Sequence, residues 1–394
     1  MKNFAFHSPA EIVFGRGVQR ETGALVKKYG GSRVLLVFGG GSAVKSGLLG
    51  QVTEKLKENG VVFLAHGGVK PNPVLSHVRD GIEKASEFGA DFILAVGGGS
   101  VIDEAKAIAI GAADRLTDIW DYWERKAELT RSLPVGAVLT IPAAGSETSD
   151  SAVMTNDGTG RKRGLSSPHN VPRFAVMNPE LAATLPKYQI ACGVVDIMMH
   201  TMDRYFTRAG GNETTDALAA ALLRVVIRNG PRALKKPSDY DAMSELMWCG
   251  SLSHNGLMGL GRPRDFSVHQ LGHELGGRFD VAHGASLSAM WGAWARYCYQ
   301  TNPGRFAQFA ESVWDVSRTS PDAAAINGIE RTVQFFASLG MPTNLHQLGV
   351  APLSGEVIGE LADSCVFYGK RLVGDFRPLN RDDIARIFKI ANGQ

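Results

Sequence analysis

Two apolar runs within the first hundred residues end in the same device. Arg33–Phe38 leads into Gly39-Gly40-Gly41-Ser42, and Phe92–Val96 leads into Gly97-Gly98-Gly99-Ser100. A glycine-rich turn between a strand and a helix removes the Cβ atoms that would keep a phosphate off the backbone. It also aims N–H groups and the helix dipole at that phosphate. One triplet marks no more than a tight turn. Two, at the carboxyl ends of neighbouring strands and each opening a helix, point to a bound pyrophosphate. Neither matches GxGxxG, and no Walker A lysine motif is present. Asp103 reads equally as a first-turn carboxylate on the helix dipole or as a cofactor ligand. A third polar turn, Thr140–Ser149, follows a further strand and is placed to close the same site.

Around these turns, short β-branched runs alternate with amphipathic stretches. Strands are expected at Arg33–Phe38, Val61–Ala65, Phe92–Val96, Ala137–Ile141 and Phe174–Met177, with helices over Val44–Asn59 and Val74–Phe88. Near-continuous apolar strands separated by helices imply a parallel sheet covered on both faces. Past Leu185-Pro186 the strand signals fade. Helical patterns then cover Ile190–Arg208, Thr214–Asn229, Asp241–Gly256 and Asp265–Gly277, followed by Arg305–Val316, Ala323–Leu339, Ser354–Ser364 and Arg381–Ala391. The expected division is an α/β domain over 1–185 and an all-α domain over 186–394, closely packed with a cleft between them, since no Pro/Ser-rich linker intervenes.

Lys and Arg total 42 against 39 Asp and Glu, a net charge of +3 with no block of like charge. Nucleic acid and an anionic membrane are therefore poor candidates as the main partner. No apolar run reaches the ~18 residues of a membrane span, and the opening MKNFAFHSPAEIVFGRG lacks the apolar core of a signal peptide. Cys192, Cys249, Cys298 and Cys365 are widely spaced and form no CxxC pair. That excludes a disulfide framework or zinc knuckle and fits a reducing cytoplasm.

Five of the ten histidines, His200, His254, His269, His273 and His283, fall in the helical half. Asp196 and His200 are four apart, as are His269 and His273, so each pair shares a helical face. Any one histidine is more simply a hydrogen-bonded core residue. As a set with Asp196 they form an oxygen and nitrogen donor group suited to Zn²⁺ or Fe²⁺, with an open position for Lewis-acid work. Gln270 stands where a metalloprotease HExxH would carry its glutamate. Spacing leaves open which four are the ligands.

The chain resembles the iron-containing (group III) alcohol dehydrogenases, in their butanol dehydrogenase and NADPH-dependent aldehyde reductase branch. The resemblance runs along nearly the whole chain. It is carried by Pro9–Gly15, Val69-Lys-Pro-Asn-Pro73, Gly97–Asp103, Thr140–Glu147, Asn178-Pro-Glu-Leu181, Asp196-x3-His200, and His269 with His283 fourteen residues on. It implies a Rossmann-like, dehydroquinate synthase-like α/β domain followed by the all-α domain. The implied metal ligands are Asp196, His200, His269 and His283, with His273 unligated nearby to orient substrate or relay a proton. The implied cofactor contacts are Gly39, Gly40, Ser42, Asn72, Gly97, Gly98, Gly99, Ser100, Asp103, Thr140, Ser146, Ser149, Lys162 and Leu181. Lys162, in Arg161-Lys-Arg163, also reads as a solvated basic turn. His254 receives no role beyond packing.

NAD-preferring relatives carry an Asp near Gly40. Here Phe38–Lys45 has no carboxylate, and Ser42 and Lys45 are free to meet a 2′-phosphate, so NADP(H) is expected ahead of NAD(H). The implied reaction is hydride transfer between the nicotinamide and a primary alcohol or aldehyde polarised by one divalent ion, Fe²⁺ or Zn²⁺. A homodimer is implied as well. NAD-dependent glycerol dehydrogenase-like oxidation and a dehydroquinate synthase-like lyase are the competing activities. A nucleotide-binding regulator with a vestigial site is the non-enzymatic one.

Overall fold

The computed structural model describes residues 1–210, 212–317 and 320–394. The chain falls into two compact units. One comprises His7–Leu185 with Pro237–Ser251, and the other Met1–Phe6, Pro186–Lys236 and Leu252–Gln394.

The first unit is built on β1 (Glu11–Phe14), β2 (Arg33–Gly39), β3 (Val62–Val69), β4 (Phe92–Gly97), β5 (Val135–Leu139) and β8 (Phe174–Met177). They form one parallel sheet in the order β1-β8-β5-β4-β2-β3. Its helices are α1 (Thr22–Lys28), α2 (Ser42–Lys45), α3 (Leu48–Glu58), α4 (Leu75–Phe88), α5 (Gly99–Ala113) and α6 (Ile119–Trp123). Every residue of β4, β5 and β8 is buried, which is why those runs show no polar alternation. From β2 the chain moves outward to the edge strand β3. It then re-enters on the other side of β2 as β4 and continues away through β5 and β8. The strand order thus reverses between β2 and β4, the place where open α/β sheets bind ligands.

β5 begins and ends two residues earlier than the apolar pattern predicts. Its register is set by pairing Leu139 with Gly97, and Pro142 has no N–H to carry a ladder onward. The helix expected over Val44–Asn59 is two helices, α2 and α3, broken where Gly47 adopts a φ of 76°. An antiparallel hairpin that the apolar pattern did not reveal joins β6 (Ser151–Asn156) to β7 (Arg161–Ser166). Its turn, Asp157-Gly-Thr-Gly160, carries ordinary turn residues.

The second unit is helical: α7 (Lys187–Tyr205), α8 (Glu213–Lys235), α10 (Ser267–Phe279), α11 (His283–Cys298), α12 (Pro303–Trp314), α13 (Pro321–Ser338), α14 (Leu345–Leu348), α15 (Gly355–Cys365) and α16 (Arg381–Ala391). Between α8 and α10 lies α9 (Tyr240–His254), most of which belongs to the α/β unit. α8 runs on through Pro231, beyond the expected stop at Asn229. Phe206, Trp291, Trp294, Phe306, Phe309 and Phe376 form the unit's aromatic core, with ring centroids 4.3–6.2 Å from Phe206. Beside it, Arg262 and Arg305 are both buried against Asp216, with Arg305 Nη1 2.5 Å from Asp216 Oδ2. Among the described residues no helix is long and apolar enough to cross a membrane.

Candidate functional site

In the helical unit three helices bring a carboxylate and three imidazoles together. α7 contributes Asp196 and His200 from one face, and His200 Nε2 lies 3.4 Å from Asp196 Oδ1. α10 contributes His269, and α11 opens with His283. The Nε2 atom of each lies 3.7 Å from the same Asp196 Oδ1. Asp196, His200 and His269 are all buried, and each offers a donor atom within 4.8 Å of the others.

Local devices fix this convergence. Asp265 Oδ1 accepts the Ser267 N–H at 2.9 Å, and its Oδ2 accepts the N–H groups of Asp375 and Phe376, both at 2.8 Å. These bonds pin the first turn of α10, one turn ahead of His269. Burial, with the charge of Asp203, pushes the Asp265 carboxyl up to about 6. At the start of α11, a Cβ on Gly284 would sit 2.3 Å from the Cys192 carbonyl oxygen. Only glycine lets α11 approach α7 closely enough to set His283 opposite Asp196.

His269 is oriented from behind, since its Nδ1 bonds the Asp203 carboxylate and its Nε2 is left facing Asp196. Burial works against the charged imidazole, yet the facing Asp203 and Asp196 carry it up to about 9. Burial and the neighbouring His254 and His269 rings hold His200 well below its ordinary value. An outer carboxylate that fixes the tautomer of a ligating histidine is a recurrent part of metal centres. Asp203 is seven residues beyond Asp196, on the same face of α7 as Asp196 and His200, so its spacing carried the signal.

The chemistry of the donor set decides whether a divalent ion fits. Asp196 Oδ1 and His269 Nε2 are buried with no hydrogen-bond partner among the described residues. Orphaned buried polar atoms are costly, and an ion among them relieves the cost. One oxygen and three nitrogens suit Fe²⁺ or Zn²⁺ equally. His273, one turn beyond His269 on α10, is buried with its ring centroid 5.5 Å from that of His283 and 6.4 Å from that of His269. It neighbours the group without joining it. His254 packs directly on this group: its ring stacks on that of His200 with centroids 3.9 Å apart.

In the α/β unit the two glycine turns lie side by side, because Phe38 at the end of β2 pairs with Val96 at the end of β4. Their glycines serve different ends. A Cβ on Gly97 would meet Val101 Cγ2 at 2.5 Å, and one on Gly98 would meet Ile141 Cδ1 at 2.8 Å, so these two are dictated by packing. A Cβ on Gly40 would meet nothing within 4 Å, and one on Gly99 only Ala144 at 3.8 Å. Packing does not require glycine there, and a bare backbone beside a ligand does. α5 starts at Gly99 without a side-chain cap, so its first N–H groups remain available. Gly39 ends β2, Ser42 opens α2 and Ser100 lies in the first turn of α5.

The third turn joins the second, since Thr140 donates its N–H to the Gly97 carbonyl at 3.1 Å. A residue with no place in the sequence pattern organises it. The buried Lys106 of α5 donates to the carbonyls of Ser146, Ser149 and Ser151 at 2.7, 3.1 and 2.7 Å. Burial, against Asp103, Glu147 and Asp150, brings its ammonium down to about 8. Asp103 accepts from Ser146 Oγ at 2.6 Å and from the Val153 N–H at 3.0 Å. Both its oxygens are engaged within the protein, binding α5 to this turn and to β6. Lys162 is not in a solvated turn: it is buried on β7, and its Nζ donates to Asn72 Oδ1 at 2.7 Å. Leu181, in the short turn Pro179–Ala182 after β8, packs against the sheet's apolar cluster.

A parallel sheet with bare glycine turns at its switch point, in a chain that also carries a largely buried Asp/His₃ group, is the equipment of a nucleotide-dependent metalloenzyme. The chain matches the iron-containing alcohol dehydrogenase family over residues 9–179 and that family's C-terminal domain over residues 190–392. It is 37% identical over 391 residues to the NADH-dependent butanol dehydrogenase A of Clostridium acetobutylicum, covering 99% of each chain. To the NADPH-dependent aldehyde reductase YqhD of Escherichia coli it is 36% identical over 393 residues, covering 99% of this chain and 100% of that one. A crystal structure of NADH-dependent butanol dehydrogenase A from Thermotoga maritima superposes with a TM-score of 0.95 at 35% identity, again over 99% of each chain. The chain belongs to the iron-containing alcohol dehydrogenase family, whose members use a nicotinamide cofactor and a divalent metal.

Proposed function

We propose that this protein reduces simple aldehydes, and oxidises the corresponding primary alcohols, with NADP(H) and one divalent ion held by Asp196, His200, His269 and His283. The observation that carries the reading is the approach of three imidazole Nε2 atoms to one buried, unpartnered carboxylate oxygen. When bound, the ion supplies Lewis-acid polarisation of the substrate oxygen and the nicotinamide supplies the redox equivalent. Asp203 keeps His269 Nε2 aimed at the ligand cluster, and Asp265 and Gly284 keep the helices in register around it. His273, beside His283, is the imidazole placed to hand a proton to the alcohol oxygen or to take one from it. Gly40 and Gly99 leave the backbone bare for the pyrophosphate, and Asn72 with Lys162 forms a fixed polar pair for the cofactor.

The preference for NADP(H) rests on the Phe38–Lys45 turn, which has no carboxylate to repel a 2′-phosphate, with Ser42 and the exposed Lys45 on α2 to receive it. Four cysteines, none of them in a disulfide among the described residues, support a cytoplasmic location, and a homodimer completes the reading. The test follows nicotinamide absorbance with NADPH and NADH against a panel of aldehydes, before and after chelation. Turnover lost on chelation, restored by Fe²⁺ or Zn²⁺ and faster with NADPH is expected. Chelation-resistant turnover would refute the metal's part. A higher kcat/KM with NADH would refute the cofactor assignment alone.

A further inference from the structure

A second group of imidazoles and a carboxylate lies inside the α/β unit, and it shares no residue with the Asp196 group. His66 on β3, His77 on α4 and Glu104 on α5 each offer a donor atom within 4.8 Å of the others. The two rings stack with centroids 4.3 Å apart. His77 Nδ1 lies 2.7 Å from Glu104 Oε1, and His66 Nε2 lies 3.3 Å from the same oxygen. The His66 and Glu104 side chains are 0% and 1% exposed, and that of His77 is 27% exposed.

Hydrogen bonding within the protein does not satisfy this cluster. A neutral imidazole carries one N–H and one acceptor nitrogen, yet among the described residues neither nitrogen of His66 has a hydrogen-bond partner, and neither does Glu104 Oε2. Buried polar atoms left without a partner are costly. An apolar residue at position 66 would fill the same space at no such cost. A cation beside Glu104 would take up His66 Nε2 and the Glu104 carboxylate.

We propose that His66, His77 and Glu104 bind a second divalent ion of the Zn²⁺ class, separate from the Asp196 centre. Two imidazoles and a carboxylate are donors that Zn²⁺ accepts, and three protein ligands leave a fourth position for water. A carboxylate also lies behind the His66 ring: Asp80 Oδ2 is 3.7 Å from its Nδ1, beyond hydrogen-bond distance, and is itself held by Lys84 at 2.7 Å. Gly81 clears the ground beside it, since a Cβ there would meet Ile108 Cδ1 at 2.3 Å and His66 Nε2 at 3.0 Å. The partial exposure of His77 supplies a way in. The ion would tie β3, α4 and α5 together, and α5 is the helix that opens at the second glycine turn.

This inference does not depend on the proposed reaction, and its test needs no turnover. The full-length protein is stripped with a chelator, reloaded with excess Zn²⁺, desalted and assayed for bound metal. Wild type should hold two ions per chain, Asp196→Ala one, His77→Asn one, and the double variant none. Co²⁺ in Asp196→Ala should give the visible bands of a four-coordinate ion with nitrogen ligands, and these should vanish when His77→Asn is added. Zn²⁺ should raise the Tm of Asp196→Ala and leave that of the double variant unchanged. Should His77→Asn fail to fold, the near-isosteric Glu104→Gln makes the same comparison. One ion in wild type and none in a folded Asp196→Ala chain would overturn the second site while leaving the first intact.

Discussion

The two units build their functional surfaces in opposite ways. In the helical unit the site is made of side chains, an aspartate and three imidazoles whose directions are set by other buried carboxylates. In the α/β unit the glycine turns are made of backbone from which side chains have been removed, with Lys106 and Asp103 working behind them rather than in them. A site of the first kind is broken by taking atoms away, and one of the second kind by adding them. His66, His77 and Glu104 are the exception, a side-chain site embedded in the backbone-built unit.

The largest effect expected from this contrast is on turnover. His269→Ala removes one ligand and leaves Asp203 facing a void, so bound metal should fall away. A loss of about 4 kcal/mol of transition-state stabilisation is about a thousandfold in rate. Metal analysis, initial rates and circular dichroism should show an empty, inactive and folded chain, and wild-type rates without metal would break the contrast. Asp216→Ala takes atoms from the helical unit outside its site. It leaves Arg262 and Arg305 buried without their carboxylate, which should cost about 3–5 kcal/mol and appear as a lower denaturation midpoint with metal stoichiometry retained in the folded fraction.

Asp203→Asn keeps shape but loses the charge behind His269. Outer-carboxylate losses weaken metal binding about 10–100-fold, which competition with a chromogenic chelator would read. An unchanged affinity would mean that His269 needs no such support. The glycines test the other half of the contrast. Gly97→Ala forces a methyl against Val101 and should destabilise by about 1–3 kcal/mol. Gly40→Ala should leave Tm unmoved and raise the KM for cofactor. If both variants lose stability alike, the bare backbone at Gly40 has no ligand to serve.

The smallest effect is a slope with pH. Lys106 titrates near 8 in the folded chain against about 10.4 when unfolded. The unfolded chain therefore binds more protons between those values, and stability from this residue rises as pH climbs through that window and is constant below it. Lys106→Met should flatten the slope of the denaturation midpoint between pH 8 and pH 10.

Much of the architecture was legible because burial on both faces forces apolar runs, and β4 and β8 have no other reading. The four residues proposed to hold the metal were legible for a different reason, a helix repeat that sets Asp196 and His200 on one face and a family resemblance that supplies the rest. Asp203 was equally visible by that repeat and was overlooked because it is not itself a donor to the ion. The β6–β7 hairpin went unread because Arg161-Lys-Arg163 looks solvated until Asn72 is brought against Lys162. His66 and His77 gave no signal at all. One sits in a strand and the other on the next helix, and Glu104 arrives from a third element.

Local periodicity and composition were enough to settle which elements form, where the backbone is bare and which residue types are available to hold a metal. Packing between distant segments had to settle the rest: that Lys106 and Asp103 face inward to organise a turn, that Gly40 and Gly97 have different duties, and that His66, His77 and Glu104 meet. Each of those depends on what lies across a gap from the residue. Hydrogen-bond satisfaction and close contact are properties of pairs of segments, and no single stretch of chain carries them.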